Sequence, residues 1–188
     1  QFKDGLAAVK MDEKYGFIDK TGKEVIPFTY EEVSSFNEGL AAVKLNGKYG
    51  FIDKPGKEII PIKYSDAEEF NEGLAAVKLN DRYGFIDKTD KEIIPFRYAD
   101  AGKFGEGLAA VKLYGKYGYI DKTNKLVIDY QFQYAGPFSD GTASVKLNDK
   151  YIIVDKTGKN EEMRKQEAKE KEEMEKQKVE RRKKGKRT

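Results

Sequence analysis

The chain has 188 residues with 36 basic and 33 acidic side chains, and it contains no cysteine, histidine or tryptophan. Without cysteine there is no disulfide framework, thiolate nucleophile or zinc ribbon. Without histidine there is no Ser-His-Asp triad, and the commonest metal ligand is missing.

A period of 34 residues runs through most of the chain and is clearest in one glycine column: Gly5, Gly39, Gly73, Gly107 and Gly141. Of the 23 aromatic residues, 21 keep this phase, and Tyr114 and Tyr134 do not. Aromatic residues on a single phase indicate that every unit buries the same face. Tandem units are therefore expected to stack on one another.

Each unit predicts three short strands in chain order. In the second unit Asn46-Gly47 lies between two apolar runs, and it favours a type I′ hairpin because both central residues need positive φ. Asp19-Lys20-Thr21-Gly22, after the hairpin of the first unit, predicts an Asx turn. A third run such as Glu58–Tyr64 contains Pro61, which cannot donate to a ladder and so predicts a bend or an edge strand.

The register of a two-residue turn assigns the side chains of the first hairpin to two faces. One face holds Leu6, Ala8, Tyr15 and Phe17, and the other holds Ala7, Val9, Met11 and Ile18. Both faces are largely apolar, so neighbouring units are expected to cover both.

Charge divides the chain near Lys159. Residues 160–188 carry 12 basic and 8 acidic side chains, a net charge of +4. Residues 1–159 carry 24 basic and 25 acidic side chains, a net charge of −1, which gives +3 for the whole chain. We predict a β-repeat array over residues 1–159 and a charged helical or disordered tail over residues 160–188. Glu-to-Lys pairs four residues apart favour a helix from about Glu161 to Lys184.

The repeated residues resemble the WG repeat family. The shared pattern is F-x-E-G-L-A-x-V-K, then G-K-Y-G-F-I-D-K-x-G-K-E-I-I-P and a tyrosine. Tyrosine stands where the family usually has tryptophan, at Tyr15, Tyr49, Tyr83, Tyr117 and Tyr151. The resemblance implies tandem β-rich units, found mostly in bacterial proteins. It implies no settled activity, and the family is usually presumed to bind other molecules.

The fold predicted is all-β, with three-stranded β-meander units in an open curved array followed by a charged α-helical tail. A closed propeller-like ring is the alternative. A propeller blade normally has four strands in roughly 40–45 residues, and 34 residues with a proline-broken third strand are short for that.

Two motifs suggest chemistry but are better explained by structure. Asp19-Lys20-Thr21-Gly22 and Asp155-Lys156-Thr157-Gly158 match the core of the aspartyl-phosphate motif of P-type ATPases. In the other units the same slot keeps turn-forming residues and loses the motif, which favours a turn. A metal ladder along the aspartates is disfavoured because each unit supplies one carboxylate, followed directly by lysine.

Two groups of residues are candidate binding sites. Tyr30, Tyr64 and Tyr98 have hydroxyls that are expected to reach the surface, which makes them candidate partner-binding aromatics. The basic end of the tail is a candidate site for nucleic acid or an anionic surface. It comprises Arg181, Arg182, Lys183, Lys184, Lys186 and Arg187.

The function we expect is that of a non-enzymatic scaffold presenting a repeated surface to another protein. One alternative is nucleic-acid or other polyanion binding through the tail and the lysine columns of the repeat. A second alternative is a carbohydrate- or envelope-associated module. We expect no cofactor, metal, small-molecule substrate or transmembrane segment, and both the bacterial cytoplasm and the cell envelope remain open as locations.

Overall fold

The computed structural model describes residues 2–185, with the side chains of the final helix described as far as Arg182. Within this range, 18 strands form five antiparallel sheets, and one helix follows them. The sheets succeed one another in chain order, and each contacts the next. They form an open array that does not close into a barrel.

The strand bounds repeat from sheet to sheet. Sheet 1 contains β1 (Leu6–Met11), β2 (Lys14–Asp19) and β3 (Glu24–Tyr30). Sheet 2 contains β4 (Glu32–Val33), β5 (Leu40–Leu45), β6 (Lys48–Asp53) and β7 (Glu58–Tyr64). Sheet 3 contains β8 (Asp66–Ala67), β9 (Ala75–Leu79), β10 (Arg82–Ile86) and β11 (Glu92–Tyr98). Sheet 4 contains β12 (Asp100–Ala101), β13 (Leu108–Leu113), β14 (Lys116–Asp121) and β15 (Leu126–Phe132). Sheet 5 contains β16 (Tyr134–Ala135), β17 (Thr142–Leu147) and β18 (Lys150–Asp155), and the helix α1 spans Glu161–Gly185.

The hairpins have the predicted turn. Asn46 and Gly47 both have positive φ, at 51° and 72°, as a type I′ turn requires. The first hairpin pairs Leu6 with Asp19 and Lys10 with Tyr15, which is the predicted register. The two faces assigned from the sequence are therefore confirmed.

The connector between units is more ordered than the sequence suggested. In sheets 2 to 5 it contributes a two-residue strand, such as β4, in which Val33 pairs with Val43. It then makes a second tight turn, in which Glu38 and Gly39 both have positive φ. Sheets 2, 3 and 4 consequently have four strands, one more than the three predicted for each unit.

The third strand explains why the second strand of each regular unit contains a glycine, such as Gly50 in β6. A Cβ on Gly50 would lie 2.6 Å from the carbonyl oxygen of Ile60, because the bulged strand β7 crosses directly over this glycine. Pro61 is exposed in the middle of β7, which is the outer edge strand of its sheet. This matches the edge position predicted from proline.

The core lies between successive sheets. In the junction of sheets 2 and 3, Phe51 and Ala42 from one sheet pack against Val77 and Ile86 from the next. Phe70 from the connector fills the space, with its ring centroid 4.8 Å from that of Phe51. Complete burial of one such side chain contributes about 1.5–3 kcal/mol. The prediction that each unit is covered on both sides is confirmed for the inner sheets.

A charged clasp also joins sheet 2 to sheet 3, sheet 3 to sheet 4 and sheet 4 to sheet 5. The Glu72 carboxylate accepts a hydrogen bond from the Gly107 N–H at 3.0 Å and lies 3.2 Å from the Lys122 ammonium. Lys122 also donates to the carbonyl oxygen of Glu72 at 2.8 Å. Equivalent clasps link Glu38 with Gly73 and Lys88, and Glu106 with Gly141 and Lys156. Three lysines that recur at the 34-residue period, Lys88, Lys122 and Lys156, are thus paired with three glutamates that recur at the same period.

The Asp-Lys-Thr-Gly segments are turns. The Asp19 carboxylate accepts hydrogen bonds from the Thr21 N–H at 2.8 Å, the Thr21 hydroxyl at 2.6 Å and the Lys23 N–H at 3.1 Å. The hydrogen bond from the Thr21 hydroxyl is the main reason why the pKa of Asp19 is lowered. The carboxylate therefore satisfies the donors of its own loop.

Sheet 5 lacks the third strand, and helix α1 begins at that point of the repeat. The Asn160 side chain caps the helix by accepting the Met163 N–H at 2.8 Å. Ile152 occupies the position that is glycine in the other sheets, where a third strand would cross. The predicted pairs Glu161–Lys165 and Glu172–Lys176 are present at 2.7 and 2.6 Å. The predicted helical tail is confirmed within the described residues.

Candidate functional site

A cluster of lysine, tyrosine and carboxylate recurs beside the short strands. In sheet 2 the Lys44 ammonium lies 2.7 Å from Glu32 and 5.2 Å from the ring centroid of Tyr49. The Tyr49 hydroxyl donates to the same carboxylate at 2.5 Å. The hydrogen bond from Lys44 lowers the pKa of Glu32, while burial and the bond to Glu32 raise the pKa of Tyr49 to about 12. The cluster is therefore charged and internally satisfied at neutral pH.

Sheets 3 and 4 keep the tyrosine–carboxylate bond, with aspartate in place of glutamate, and the lysine above the tyrosine ring. Tyr83 donates to Asp66 and Tyr117 donates to Asp100. Lys78 and Lys112 lie over the two tyrosine rings, at 5.6 and 5.3 Å from their centroids. The tyrosine in the usual tryptophan position of the family thus holds an ammonium group above its ring.

Sheet 5 departs from this pattern. Tyr134 stands in the carboxylate position, and Lys146 pairs instead with Asp149 at 3.3 Å. The Tyr134 ring lies 6.4 Å from the ring of Tyr117 and 6.1 Å from that of Tyr151, tilted by 64° in both pairs. Tyr134 is 45% exposed and Tyr151 is 67% exposed. The end of the array therefore carries a row of three tyrosines.

A pocket of about 290 Å³ opens beside this row, between sheets 4 and 5. The side chains that line it include Glu68, Asp100, Lys103, Tyr117 and Tyr134. Glycine opens the space, because Gly102 and Gly136 stand where sheets 2 and 3 carry Ser34 and Glu68. We call it the tyrosine pocket.

Gly136, which lines the tyrosine pocket, accepts a buried hydrogen bond through its carbonyl oxygen. Tyr119 donates to the carbonyl oxygen of Gly136 at 2.7 Å, and it stands where the first three sheets have phenylalanine. Burial raises the pKa of Tyr119, so its hydroxyl remains a donor at neutral pH. A Cβ on Gly136 would lie 3.2 Å from the Ser144 carbonyl oxygen and 3.6 Å from the Tyr134 hydroxyl.

The charges around the tyrosine pocket are mainly negative. Glu68 and Asp100 supply two carboxylates against the single ammonium of Lys103. Partial burial, together with the negative charge of Asp66, raises the pKa of Glu68, and Lys103 opposes this shift. Carboxylate acceptors beside two aromatic rings suit the binding of a small polar or cationic group.

A larger groove, of about 740 Å³, lies between β15 and the first turns of α1. Its walls include Val127, Ile128 and Met163, and several glutamate and glutamine side chains. No aromatic side chain lines it. It lacks the combination of rings and converging charges that distinguishes the tyrosine pocket.

The predicted aromatic site is not where the exposed tyrosines lie. Tyr64 and Tyr98 are only 2% exposed, and their hydroxyls donate to Asp90 and Asn124 of the next unit at 2.5 Å. Tyr30 is partly buried. The expectation that the Tyr64 and Tyr98 hydroxyls reach the surface is wrong, because residues of the next unit cover and satisfy them.

The residues missed from the sequence had a visible signal. Tyr114 and Tyr134 are the two aromatics off the repeat phase, and both are exposed, Tyr114 by 87%. Tyr119 also differs, because the first three units have phenylalanine at its position. Of these departures Tyr134 lines the tyrosine pocket, whereas Tyr114 lies in the turn between β13 and β14.

The predicted basic site lies at the far end of α1. Arg181 and Arg182 are exposed on the helix, and Lys183 and Lys184 belong to the same helix. Lys186 and Arg187 lie outside the described residues. Among residues 2–185 there is no group of three or more acidic side chains placed to hold a metal ion. In the same range, no helix has the length and apolar character needed to cross a bilayer.

One solved structure shares the fold with little sequence identity. A structure of KlHsv2 with loop 6CD replaced by a Gly-Ser linker aligns with a TM-score of 0.54 and 8% identity, over 83% of this chain and 60% of that one. The chain thus spans less than two thirds of the KlHsv2 chain, and this likeness is one of fold alone.

Two further structures align at 12% identity. A protein of unknown function from Bacteroides caccae gives a TM-score of 0.39 over 83% of this chain and 76% of the other. A symmetrical protein, from work on how folding constraints shape its de novo evolutionary emergence, gives 0.36 over 79% and 84%. No curated protein matches the chain.

The WG containing repeat matches the chain five times in succession, at residues 1–15, 15–49, 49–83, 83–117 and 117–151. The successive matches coincide with the column Tyr15, Tyr49, Tyr83, Tyr117 and Tyr151, and they cover most of the stacked sheets. The chain belongs to the WG containing repeat family.

Proposed function

We propose that this repeat scaffold is a non-enzymatic module that binds another protein, and that its contact surface is the tyrosine-rich end of the array. The observation that carries the proposal is that departures from the repeat converge on one pocket. Tyr134, Gly102 and Gly136 replace the residues that sheets 2 and 3 carry and line the tyrosine pocket, and Tyr119 reaches it through its hydrogen bond to Gly136.

The convergence matters because the other units show what stacking alone requires. Sheets 2, 3 and 4 build stable junctions with a carboxylate in the position of Tyr134. Stacking therefore needs no tyrosine at this position. A tyrosine that is 45% exposed beside an open pocket suits contact with another molecule.

The last sheet has exposed side chains of the kind found in protein interfaces. Tyr134, Tyr151 and Ile153 are all substantially exposed, the last by 57%, and the Tyr151 ring lies beside that of Tyr134. Tyrosine is enriched among the residues that contribute most to protein–protein binding, and large apolar side chains form the centre of such interfaces. The charges of the inner sheets, in contrast, are largely paired in clasps and clusters.

Site-specific photo-crosslinking tests the proposal. p-Benzoylphenylalanine is placed at position 134 in one protein and at position 114 in another, so that both carry the probe on an exposed tyrosine site. We expect position 134 to crosslink one discrete protein that position 114 does not. The variant Gly136→Ser, combined with the probe at 134, should reduce the yield because the serine side chain fills the pocket.

The same discrete product from both positions, or none from position 134, would overturn the proposal. The unfolding midpoint of each protein, followed by circular dichroism, shows whether the array is intact. A variant that remains folded and loses the crosslink supports a contact surface.

A second candidate is polyanion binding through the end of α1. The observation that favours it is the exposure of Arg181 and Arg182 on a helix whose acidic side chains become sparse at this end. Binding to a fluorescent single-stranded DNA should then fall steeply with salt and be lost when residues 181–187 are deleted. Binding that is independent of salt would exclude it.

A further inference from the structure

We infer that the tyrosine pocket binds one cationic side chain, an arginine or a lysine, supplied by the protein partner. This inference rests on the proposed function and names the chemistry of the contact. The residues that carry it are the ring pair Tyr117 and Tyr134 and the carboxylates of Glu68 and Asp100.

The other sheets show how this part of the fold holds a cation. The Lys44 ammonium sits 5.2 Å from the Tyr49 ring centroid and 2.7 Å from the Glu32 carboxylate. Lys78 and Lys112 lie in the same way over Tyr83 and Tyr117. A tyrosine ring that holds an ammonium group is therefore a unit that this protein repeats, and in sheet 2 a carboxylate completes it.

The last junction departs from this pattern at Tyr134. Lys146 lies opposite Tyr134 across β16 and β17, as Lys44 lies opposite Glu32, but its ammonium pairs with Asp149 at 3.3 Å. The rings of Tyr117 and Tyr134 meet at 64° and form a corner on the pocket wall. Glu68 and Asp100 line the same pocket. Lys112 lies over the Tyr117 ring and Asp100 accepts the Tyr117 hydroxyl, so an incoming cation would rely mainly on the Tyr134 ring and the Glu68 carboxylate.

The size and charge of the pocket fit one side chain. Its volume is about 290 Å³, which is just below the range of about 300–1,000 Å³ for pockets that hold drug-sized ligands, so it suits a smaller group such as one side chain. The two carboxylates outnumber the one opposing lysine, Lys103. Arginine matches best, because its planar guanidinium can stack on a ring and donate two parallel hydrogen bonds to a carboxylate.

The experiment uses a matched pair of probes, Nα-acetyl-arginine amide and Nα-acetyl-citrulline amide, which have similar shapes and differ in charge. Each is titrated into the full chain, and the amide signals of Gly102 and Gly136 are followed by NMR. We expect saturable shifts with the arginine probe and binding of the citrulline probe that is weaker by roughly fivefold or more. Raising the salt concentration should weaken arginine binding.

Three variants and one control locate the binding. Tyr134→Leu removes the ring and keeps an apolar side chain, and Gly136→Ser fills the pocket; each should weaken arginine binding by roughly fivefold. Lys103→Gln should strengthen it, because an opposing charge is removed. Tyr114→Leu is the matched control, since it removes an exposed tyrosine away from the pocket, and it should leave binding unchanged.

Equal binding of the two probes, or equal loss in Tyr114→Leu and Tyr134→Leu, would overturn the inference. A crosslinked partner at position 134 without arginine binding would leave the proposed function standing and remove the cation from it. Arginine binding without any crosslinked partner would support the site and contradict its use for a protein.

Discussion

The junction between sheets 2 and 3 and the junction between sheets 4 and 5 are built from the same repeat but present different surfaces. In the first, the Phe51 and Phe70 rings pack 4.8 Å apart, and the charged groups beside the short strand bind one another. In the second, the ring pair Tyr119 and Phe138 packs at the same 4.8 Å, so the ring packing of the core is kept although tyrosine replaces phenylalanine. The difference lies at the edge of the junction, where Tyr134 and two glycines open a pocket.

This comparison separates residues needed for stacking from residues available for binding. A position that is identical in both junctions is explained by packing. A position that changes without loss of the core has another use. Substitutions should therefore affect stability in the regular junctions and ligand binding in the last junction.

The largest effect is expected for Phe85→Ala. Phe85 is fully buried and its ring lies 5.0 Å from that of Phe104, so its removal should lower the free energy of unfolding by about 3–5 kcal/mol. The control is Ile153→Ala, at the same repeat position in sheet 5, where the side chain is exposed and the cost should be about 0.5 kcal/mol. Urea denaturation measures both. Equal losses would show that sheet 5 is as well covered as sheet 3.

Gly84→Ala should have the next largest effect. A Cβ at this position would lie 2.7 Å from the carbonyl oxygen of Ile94, so the third strand must shift, at a cost of about 1–3 kcal/mol. Gly102→Ala serves as the control, because its nearest neighbour would be the Ala110 carbonyl oxygen at 4.0 Å. If the two substitutions cost the same in urea denaturation, close approach of the third strand is not the reason for glycine.

Glu72→Gln should cost about 1 kcal/mol, since it weakens the hydrogen bond to Gly107 and the pairing with Lys122. The side chain is partly exposed, which limits the effect. Asp140→Asn is the control, because Asp140 holds the same repeat position in the last unit. Thermal unfolding in low and high salt distinguishes the two, and the Glu72 effect should shrink as salt rises.

The smallest effect concerns alkaline pH. Burial and the bond to Glu32 raise the pKa of Tyr49 to about 12, above its ordinary value of 10.0. The folded state therefore retains this proton longer than the unfolded state, and the stabilisation is complete below about pH 10 and is lost as the pH rises toward 12. Ultraviolet titration should show one late-ionising phenol fewer in Tyr49→Phe. If the alkaline end of the titration curve is the same in Tyr49→Phe as in the original protein, the late ionisation does not belong to Tyr49.

Much of the fold could be predicted because local chemistry repeats. Asn46-Gly47 specified a type I′ turn, and the turn then fixed which side chains share a face. The two-residue strands were missed because Glu32-Val33 is too short to show alternation, and it is held by pairing with β5 rather than by its own residues. The turn at Glu38-Gly39 was missed because glutamate rarely adopts positive φ.

The candidate site was harder to predict because it depends on neighbouring units. Tyr64 and Tyr98 looked like surface residues, and their burial follows from hydroxyl partners 26 residues later in the chain. Tyr134 was recognisable as off phase, but only the stacked sheets bring it beside Tyr117 and Gly136. Departures from a repeat are visible in a sequence, whereas the places where they meet require the three-dimensional arrangement.

The prolines in the middle of the third strands have a consequence for the behaviour of the protein at high concentration. An array of open sheets offers an outer edge in every unit, and each edge could pair with a strand of another molecule. Pro27, Pro61 and Pro95 interrupt three of these edges, and Asp129 places a charge at the same position in β15. Strand β18 lacks both its third strand and such a proline, and Tyr151 and Ile153 are exposed on it. Intermolecular sheet formation should therefore begin at the last sheet, and a charge introduced at position 153 should delay it.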